Sequence, residues 1–142
     1  MIKEFQKEYR WLSNFWFFDN SMTYGDLIFT TNEHFYVAMK TLDQSKRVEV
    51  SNHSLKGLKK FGNTLTLRED WDDVKSSVME YGLRYKFSEA NPELRQKLIA
   101  TGDLHIQEGN YWGDKFWGVC LKTGEGENNL GKLLMKIREE IS

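Results

Sequence analysis

The pattern of apolar and polar positions predicts a mostly helical chain. In the third quarter, apolar residues recur every three or four positions, as on the buried face of an amphipathic helix. That predicted stripe is Trp71, Val74, Val78, Tyr81 and Tyr85. We expect Asp70 to cap this helix. Pro92 is well placed to open another helix, because proline is favoured at the first helical position. Thr101-Gly102 ends that helix, and a last helix runs from about 128 to 141.

The first half of the chain predicts a hairpin followed by helices. Segment 22–30 carries β-branched and aromatic residues around a turn at Gly25-Asp26 or Tyr24-Gly25. Thr31 or Asn32 then caps a largely apolar, buried helix that continues to about Leu42. The remaining expected elements are two short helices, over 44–52 and 54–61, and two short strands, around 104–107 and 116–121.

This order predicts an α+β fold: a single, mostly helical domain over residues 1–142, with a small N-terminal β-hairpin and short strands. The chain lacks the strand-helix alternation of a doubly wound sheet. Its length fits one domain with its own core.

Composition narrows the class of protein. The net charge is −1, so no overall field draws the chain to nucleic acid or membrane. No apolar run approaches the roughly 18 residues of a membrane span. The single cysteine, Cys120, excludes an internal disulfide and favours a reducing, cytoplasmic compartment, and the apolar run around it predicts a buried, inert thiol. The histidines are dispersed, so we expect neither a metal nor another cofactor.

Glu33 and Lys40 are the clearest candidates for chemistry. They are seven residues apart on the predicted apolar helix, which sets them on one face about 10 Å apart, with Tyr36 and Val37 between them. Ionisable groups on a buried helix must be paired or must line a cleft. The spacing leaves open a simpler interpretation, in which Glu33 complements the helix dipole and Lys40 extends to water.

Two other segments combine aromatic and polar groups. Segment 108–118 contains Trp112, a flat face for a planar ring, and Asp114 beside Gly113. The alternative interpretation of segment 108–118 is a tight turn whose aromatic side chains pack into the core. Segment 10–15 offers the Arg10 guanidinium together with an amide and aromatic rings, and its alternative is a packed N-terminal strand and turn. A basic cluster, Lys56, Lys59 and Lys60, either attracts phosphates or is a solvated helix face.

Taken together, the motifs resemble the NADAR family, also called YbiA-like, in the family's order and over essentially the whole chain. The matching blocks are Leu12-Ser13-Asn14-Phe15, Glu33 to Lys40, Arg68-x-x-Trp71-Asp72, Lys75-x-x-Val78-Met79, Tyr111-Trp112-Gly113-Asp114 and Asn128 to Met135. One departure is Val37, where the family usually has glutamine.

The resemblance implies a YbiA-like fold and hydrolysis of an N-glycosidic bond between ribose C1 and a heterocycle nitrogen. The preferred substrate is a guanine base, in a nucleoside or nucleic acid, that carries ADP-ribose. The alternatives are an early riboflavin-biosynthesis intermediate, or a non-catalytic module that binds ADP-ribose or a nucleotide. No cofactor, membrane or obligate protein partner is implied.

Residue by residue, the resemblance implies Glu33 as the catalytic carboxylate and Asp114 as the group that protonates or holds the departing base. Lys40 either binds substrate electrostatically, which we favour, or attacks C1 to form a Schiff base. The implied substrate-binding residues are Arg10, Asn14, Phe15, Tyr36, Trp112, Gly113 and Asn128.

Overall fold

The computed structural model describes residues 1–142 and has the predicted α+β layout, with more helix than strand. In chain order its elements are a 3-10 helix Lys7–Leu12, β1 Phe17–Tyr24, β2 Leu27–Thr31, α1 Asn32–Met39, α2 Gln44–Asn52, α3 Leu58–Gly62, α4 Trp71–Lys86, α5 Pro92–Ala100, β3 Gly109–Asn110, β4 Val119–Cys120 and α6 Asn129–Ile141.

The N-terminal hairpin pairs β1 with β2 in antiparallel register. Tyr24 pairs with Leu27, so the turn residues are Gly25 and Asp26, the first of the two predicted turns. Gly25 has a φ of 59°, a conformation that glycine adopts without steric cost. β1 starts at Phe17, earlier than predicted, and its register is interrupted before Met22.

Helix α1 is buried on nearly every side, as predicted, but ends sooner. The Thr31 hydroxyl accepts a 3.1 Å bond from the His34 N–H, which confirms the expected cap. The helix ends at Met39 rather than near Leu42. Leu42 is 66% exposed because Asp43 already caps the next helix, leaving Leu42 in the connection. The prediction that Leu42 is a core position was therefore wrong.

Helix α4 exists as predicted, but its start and buried face differ. Asp70 stands at the N-cap position, yet its carboxylate binds Arg68, at 2.6 and 3.1 Å, instead of a helix N–H. Tyr81 is 55% exposed, against the prediction. The helix contacts both α1 and α6, and its buried side chains are those of Trp71, Met79, Leu83 and Lys86.

Two small strands run beside each other near the C-terminus. β3 and β4 pair in parallel through Gly109–Val119 and Asn110–Cys120, and Ile2 forms a single bridge with Ile106. The expected strands are therefore present but shorter, and the first lies later than 104–107. The elements share a core of 25 buried residues. Cys120 is buried, as predicted. None of the helices combines the length and the apolar stretch that a bilayer crossing requires.

Candidate active site

A cleft of about 250 Å³ opens between α1, the loop after the 3-10 helix, α3 and the Trp-rich segment. It brings together residues that are distant in sequence. The predicted site residues that line it are Asn14, Phe15, Glu33, Tyr36, Lys40, Trp112 and Asp114. Lining residues without a predicted role include Lys59, Glu108 and Trp117.

Helix α1 presents Glu33, Tyr36 and Lys40 to the cleft. Positions i, i+3 and i+7 share a face, which follows from 3.6 residues per turn. Val37, which was expected on this face, is instead fully buried. It packs so tightly on Gly62 of α3 that a Cβ there would lie 2.9 Å from Val37 Cγ1. Val37 therefore contributes to the α1–α3 contact and not to the cleft.

Burial and two neighbouring lysines act in opposite directions on the pKa of the Glu33 carboxyl group. Burial raises its pKa, whereas Lys40 and Lys59 lower it. The backbone N–H of Glu33 donates a 3.0 Å bond to the Asn14 carbonyl oxygen, which fixes the first turn of α1 against the neighbouring loop. Burial also lowers the pKa of Lys40, and Glu33 raises it. Each group thus favours the charged form of the other inside a partly dehydrated cleft.

Tyr36 connects α1 to the Trp-rich segment. Its hydroxyl oxygen accepts a 3.1 Å bond from the Trp117 indole Nε1–H. Burial first, and then the charges of Glu33 and Asp114, raise the pKa of Tyr36 to about 12, so the phenol stays neutral. Trp117 was not predicted as a site residue, because it stands in an apolar run that is typical of the core.

The turn around Asp114 is built from side chain to backbone bonds. Asp114 Oδ1 accepts bonds from the N–H groups of Phe116, at 3.1 Å, and Trp117, at 3.0 Å. Asn110 Oδ1 accepts from the Asp114 N–H, and Asn110 Nδ2 donates to the Asp114 carbonyl. Gly113 supplies a φ of 83° to this turn but does not line the cleft. The tight-turn interpretation is thus correct for the backbone, while Asp114 and Trp112 still face the cleft.

Trp112 and Lys59 meet at the mouth of the cleft. The Trp112 side chain is 61% exposed, and the Lys59 Nζ lies 5.5 Å from its ring centroid. Of the predicted basic cluster, Lys59 lines the cleft, whereas Lys56 and Lys60 are exposed outside it. The cluster therefore divides into one cleft residue and two surface residues.

Arg10 and Asn128, like Gly113, are predicted site residues that do not line the cleft. Arg10 is exposed, with its guanidinium 6.0 Å from the Trp16 ring centroid. Asn128 is buried and has a φ of 55°. Its Oδ1 accepts a 3.0 Å bond from the Glu108 N–H, and its Nδ2 donates a 3.0 Å bond to the Ile106 carbonyl. Asn128 therefore holds the backbone that carries Glu108.

Glu108 is a second glutamate in the cleft that the motifs did not single out. Burial, the largest effect, raises its pKa to about 7, with a further rise from Asp114. Its one sequence signal is its position at the start of the Trp-rich segment. No group of three or more His, Cys, Asp or Glu side chains is arranged to hold a metal ion.

The resemblance found in the sequence is confirmed by comparison with known proteins. The NADAR domain model matches residues 2–142, and the chain belongs to this family. It is 37% identical over 119 residues to N-glycosidase YbiA of Escherichia coli (strain K12), covering 79% of this chain and 70% of that protein. It is 34% identical over 130 residues to riboflavin biosynthesis protein VVA0006 of Vibrio vulnificus, covering 88% of this chain and 34% of that protein.

The fold is confirmed in the same way. The NMR structure of the E. coli protein YbiA superposes with a TM-score of 0.82 at 32% sequence identity, covering 99% of this chain and 86% of that chain.

Proposed function

We propose that this protein is an N-glycosidase that removes ADP-ribose from guanine bases by hydrolysing the bond between ribose C1 and a base nitrogen. The enzyme class is supported by family membership and by the name of the relative from E. coli, N-glycosidase YbiA. The observation that carries the proposal is that Glu33 and Lys40 both line the cleft from a buried helix, where each favours the charged form of the other.

The chemistry follows from the charge that develops during bond cleavage. Breaking a bond at C1 builds positive charge on the sugar, as in other glycoside hydrolyses. The Glu33 carboxylate stabilises that charge or activates the attacking water. Its partial burial strengthens the interaction, because the local dielectric is lower than in water. Lys40 and Lys59 favour the ionised form of Glu33 that either role needs.

The departing base can stack on the exposed Trp112 ring. Stacking of a base on an aromatic side chain contributes about 1–3 kcal/mol in nucleic-acid sites. Asp114 has one carboxylate oxygen engaged by the turn, which leaves Oδ2 to hold a base N–H. Asn14 and Phe15 also line the cleft, and Asn14 lies beside Glu33, where the two can contact the sugar.

Two features favour the ADP-ribosylated substrate. At about 250 Å³, the cleft encloses only part of a molecule of dinucleotide size, so the rest must extend along the rim. Lys59 lies at that rim beside Trp112, where an ammonium group attracts a pyrophosphate.

A second candidate rests on a different observation. The relative from Vibrio vulnificus is named a riboflavin biosynthesis protein. An early riboflavin intermediate also contains a ribosyl C1–N bond and fits the same Glu33 chemistry. In that case the Lys59 rim would bind a single phosphate or no phosphate.

A side-by-side assay tests the proposal. The purified protein is incubated with ADP-ribosyl-guanosine and, separately, with the riboflavin intermediate, and free ADP-ribose or sugar phosphate is measured by mass spectrometry. We expect the guanosine adduct to have the higher kcat/KM. Faster cleavage of the riboflavin intermediate would favour the second candidate. Stoichiometric binding of intact adduct without turnover would make the protein a binding module instead.

A further inference from the structure

Contacts from three segments of the chain hold Glu108 in place. Asn128 binds its backbone N–H, and Val119 of β4 donates a 2.9 Å bond to its carbonyl oxygen. The Asn110 Nδ2–H donates a 3.0 Å bond to Glu108 Oε2. Gly118 gives the side chain its space, since a Cβ there would overlap both Oε2 and the carbonyl oxygen of Glu108. The carboxyl group is therefore fixed against the cleft wall.

The hydrogen bonds around Glu108 and Asp114 assign them different tasks. Asp114 Oδ1 accepts two backbone N–H bonds and holds the turn. Glu108 accepts a single side-chain bond, from Asn110, at Oε2. Its Oε1 remains available to carry a proton. Burial raises the pKa of Glu108 to about 7, and so both of its protonation states are populated at neutral pH, as an acid catalyst requires.

Lys59 is within electrostatic reach of both cleft glutamates, since it lowers the pKa of Glu33 and of Glu108. The two carboxyl groups nonetheless differ in their other neighbours. Lys40 lowers the pKa of Glu33 and so favours its charged form, whereas Asp114 raises the pKa of Glu108 and so favours its neutral form. Burial raises the pKa of both carboxyl groups, but Lys40 and Asp114 act on them in opposite directions, which favours Glu108 as the acid and Glu33 as the base of one site.

We propose that Glu108 is the catalytic acid that protonates the departing heterocycle nitrogen. This inference rests on the proposed N-glycosidase function. The C1–N bond breaks with its electron pair passing to nitrogen, and the proton of Glu108 Oε1 moves to that nitrogen. Water attacks C1 and gives its proton to Glu33. Glu33 then releases its proton to solvent and the Glu108 carboxylate takes one up, so both groups return to their starting states and the net change is addition of one water across the C1–N bond.

The test compares Glu108→Gln with Glu33→Gln and with Glu127→Gln, which makes the same chemical change at an exposed glutamate. With ADP-ribosyl-guanosine we expect Glu108→Gln to lower kcat about 100-fold or more, within the range for general acid catalysis. The descending limb of the kcat–pH profile near pH 7 should disappear. Glu127→Gln should retain the wild-type rate and both limbs.

A second readout separates proton donation from a structural role. With an N7-methylated guanine adduct, whose cationic base leaves without gaining a proton, the defect of Glu108→Gln should shrink at least tenfold. The defect of Glu33→Gln should persist. A structural defect in Glu108→Gln would lower both rates equally and would overturn the inference. If Glu108→Gln does not fold, Glu108→Asp decides: a lower kcat with a retained basic limb supports the role, and an unchanged kcat contradicts it.

The outcomes distinguish this inference from the proposed function. If Glu33→Gln is inactive while Glu108→Gln keeps the wild-type kcat and its basic limb, the acid assignment fails and the N-glycosidase function stands. If the wild-type protein cleaves neither the guanosine adduct nor the riboflavin intermediate, both fail together.

Discussion

The buried amine of Lys86 donates a 2.7 Å hydrogen bond to the carbonyl oxygen of Ser13. Lys86 is fully buried near the end of α4, and no carboxyl group pairs with it. Ser13 lines the cleft and directly precedes Asn14, whose carbonyl accepts the Glu33 N–H. One hydrogen bond from the core therefore fixes the loop that faces the end of α1 carrying Glu33.

Because Lys86 is buried, we expect the free energy of unfolding to depend on pH above neutrality. Burial lowers the folded-state pKa of Lys86 to about 7 from its ordinary value of 10.5. Between these values the unfolded chain holds more protons, so the free energy of unfolding should rise with pH, by at most about 1.4 kcal/mol per pH unit. Below pH 7 the amine is charged in both states and the full penalty applies. Lys86→Met should abolish the rise, as measured by urea unfolding from pH 6 to 10.

The exposed Lys132→Met is the matched control, because it removes a lysine of the same type without changing a buried charge. It should preserve the wild-type dependence on pH. If the free energy of unfolding of Lys86→Met rose with pH as steeply as that of wild type, Lys86 would have to stay charged in the folded wild-type protein across this range.

The Glu33→Gln variant should lower kcat by about 10²- to 10⁴-fold without loss of stability. Because burial raises the folded-state pKa of Glu33, ionisation of this group costs stability as the pH rises above the unfolded-state value. The amide removes that cost, so Glu33→Gln should melt at the same or a higher temperature than wild type at pH 7, and the two should converge at low pH. Exposed Glu139→Gln serves as control. A near-normal turnover would remove Glu33 from the mechanism.

Local signals predicted most of the fold. Thr31 as a cap, Pro92 at a first helical turn and the Gly25-Asp26 turn act through short-range sterics and hydrogen bonds, and each is found where expected. The errors arose where tertiary contacts decide. Tyr81 fits the helical stripe and stacks on Phe35 of α1, with 5.4 Å between the ring centroids, but no further element covers its outer surface, which stays 55% exposed.

The site was predictable to the extent that its residues share one helix face or one motif. Glu33 and Lys40 are related by helical periodicity, and both line the cleft. Glu108, Lys59 and Trp117 join them only through long-range packing, which no local pattern encodes. Arg10 carries suitable chemistry, but its 3-10 helix directs it to solvent beside Trp16.

The rim formed by Lys59 and Trp112 should govern substrate affinity. Lys59→Gln should raise KM for ADP-ribosyl-guanosine roughly tenfold, since a charge-assisted contact contributes about 1.5–3 kcal/mol. On ADP-ribosylated DNA it should also reduce the slope of log(kcat/KM) against log salt by about 1. Trp112→Ala should raise KM with little effect on the salt slope, because stacking is not ionic.

Lys60→Gln is the matched control for this rim, since Lys60 follows Lys59 in α3 but lies outside the cleft. Equal effects of the two lysine variants would point to the overall charge of α3 instead of a specific contact. A rate on modified DNA that does not change with salt would contradict a role for Lys59 in phosphate binding.

A chemical trapping experiment can distinguish the two candidate roles of Lys40, electrostatic binding and Schiff-base formation. Its Nζ lies 5.7 Å from the Tyr36 ring centroid, and burial lowers its pKa while Glu33 raises it. With Glu33 and the Tyr36 ring both favouring the ammonium form, we expect electrostatic binding of ribose hydroxyls or phosphate. Lys40→Arg should then retain substantial activity and Lys40→Ala should lose most of it. Sodium borohydride added during turnover should trap no adduct by mass spectrometry. A protein–ADP-ribose adduct that forms in wild type and vanishes in Lys40→Ala would instead establish a Schiff base, which needs a neutral amine at C1.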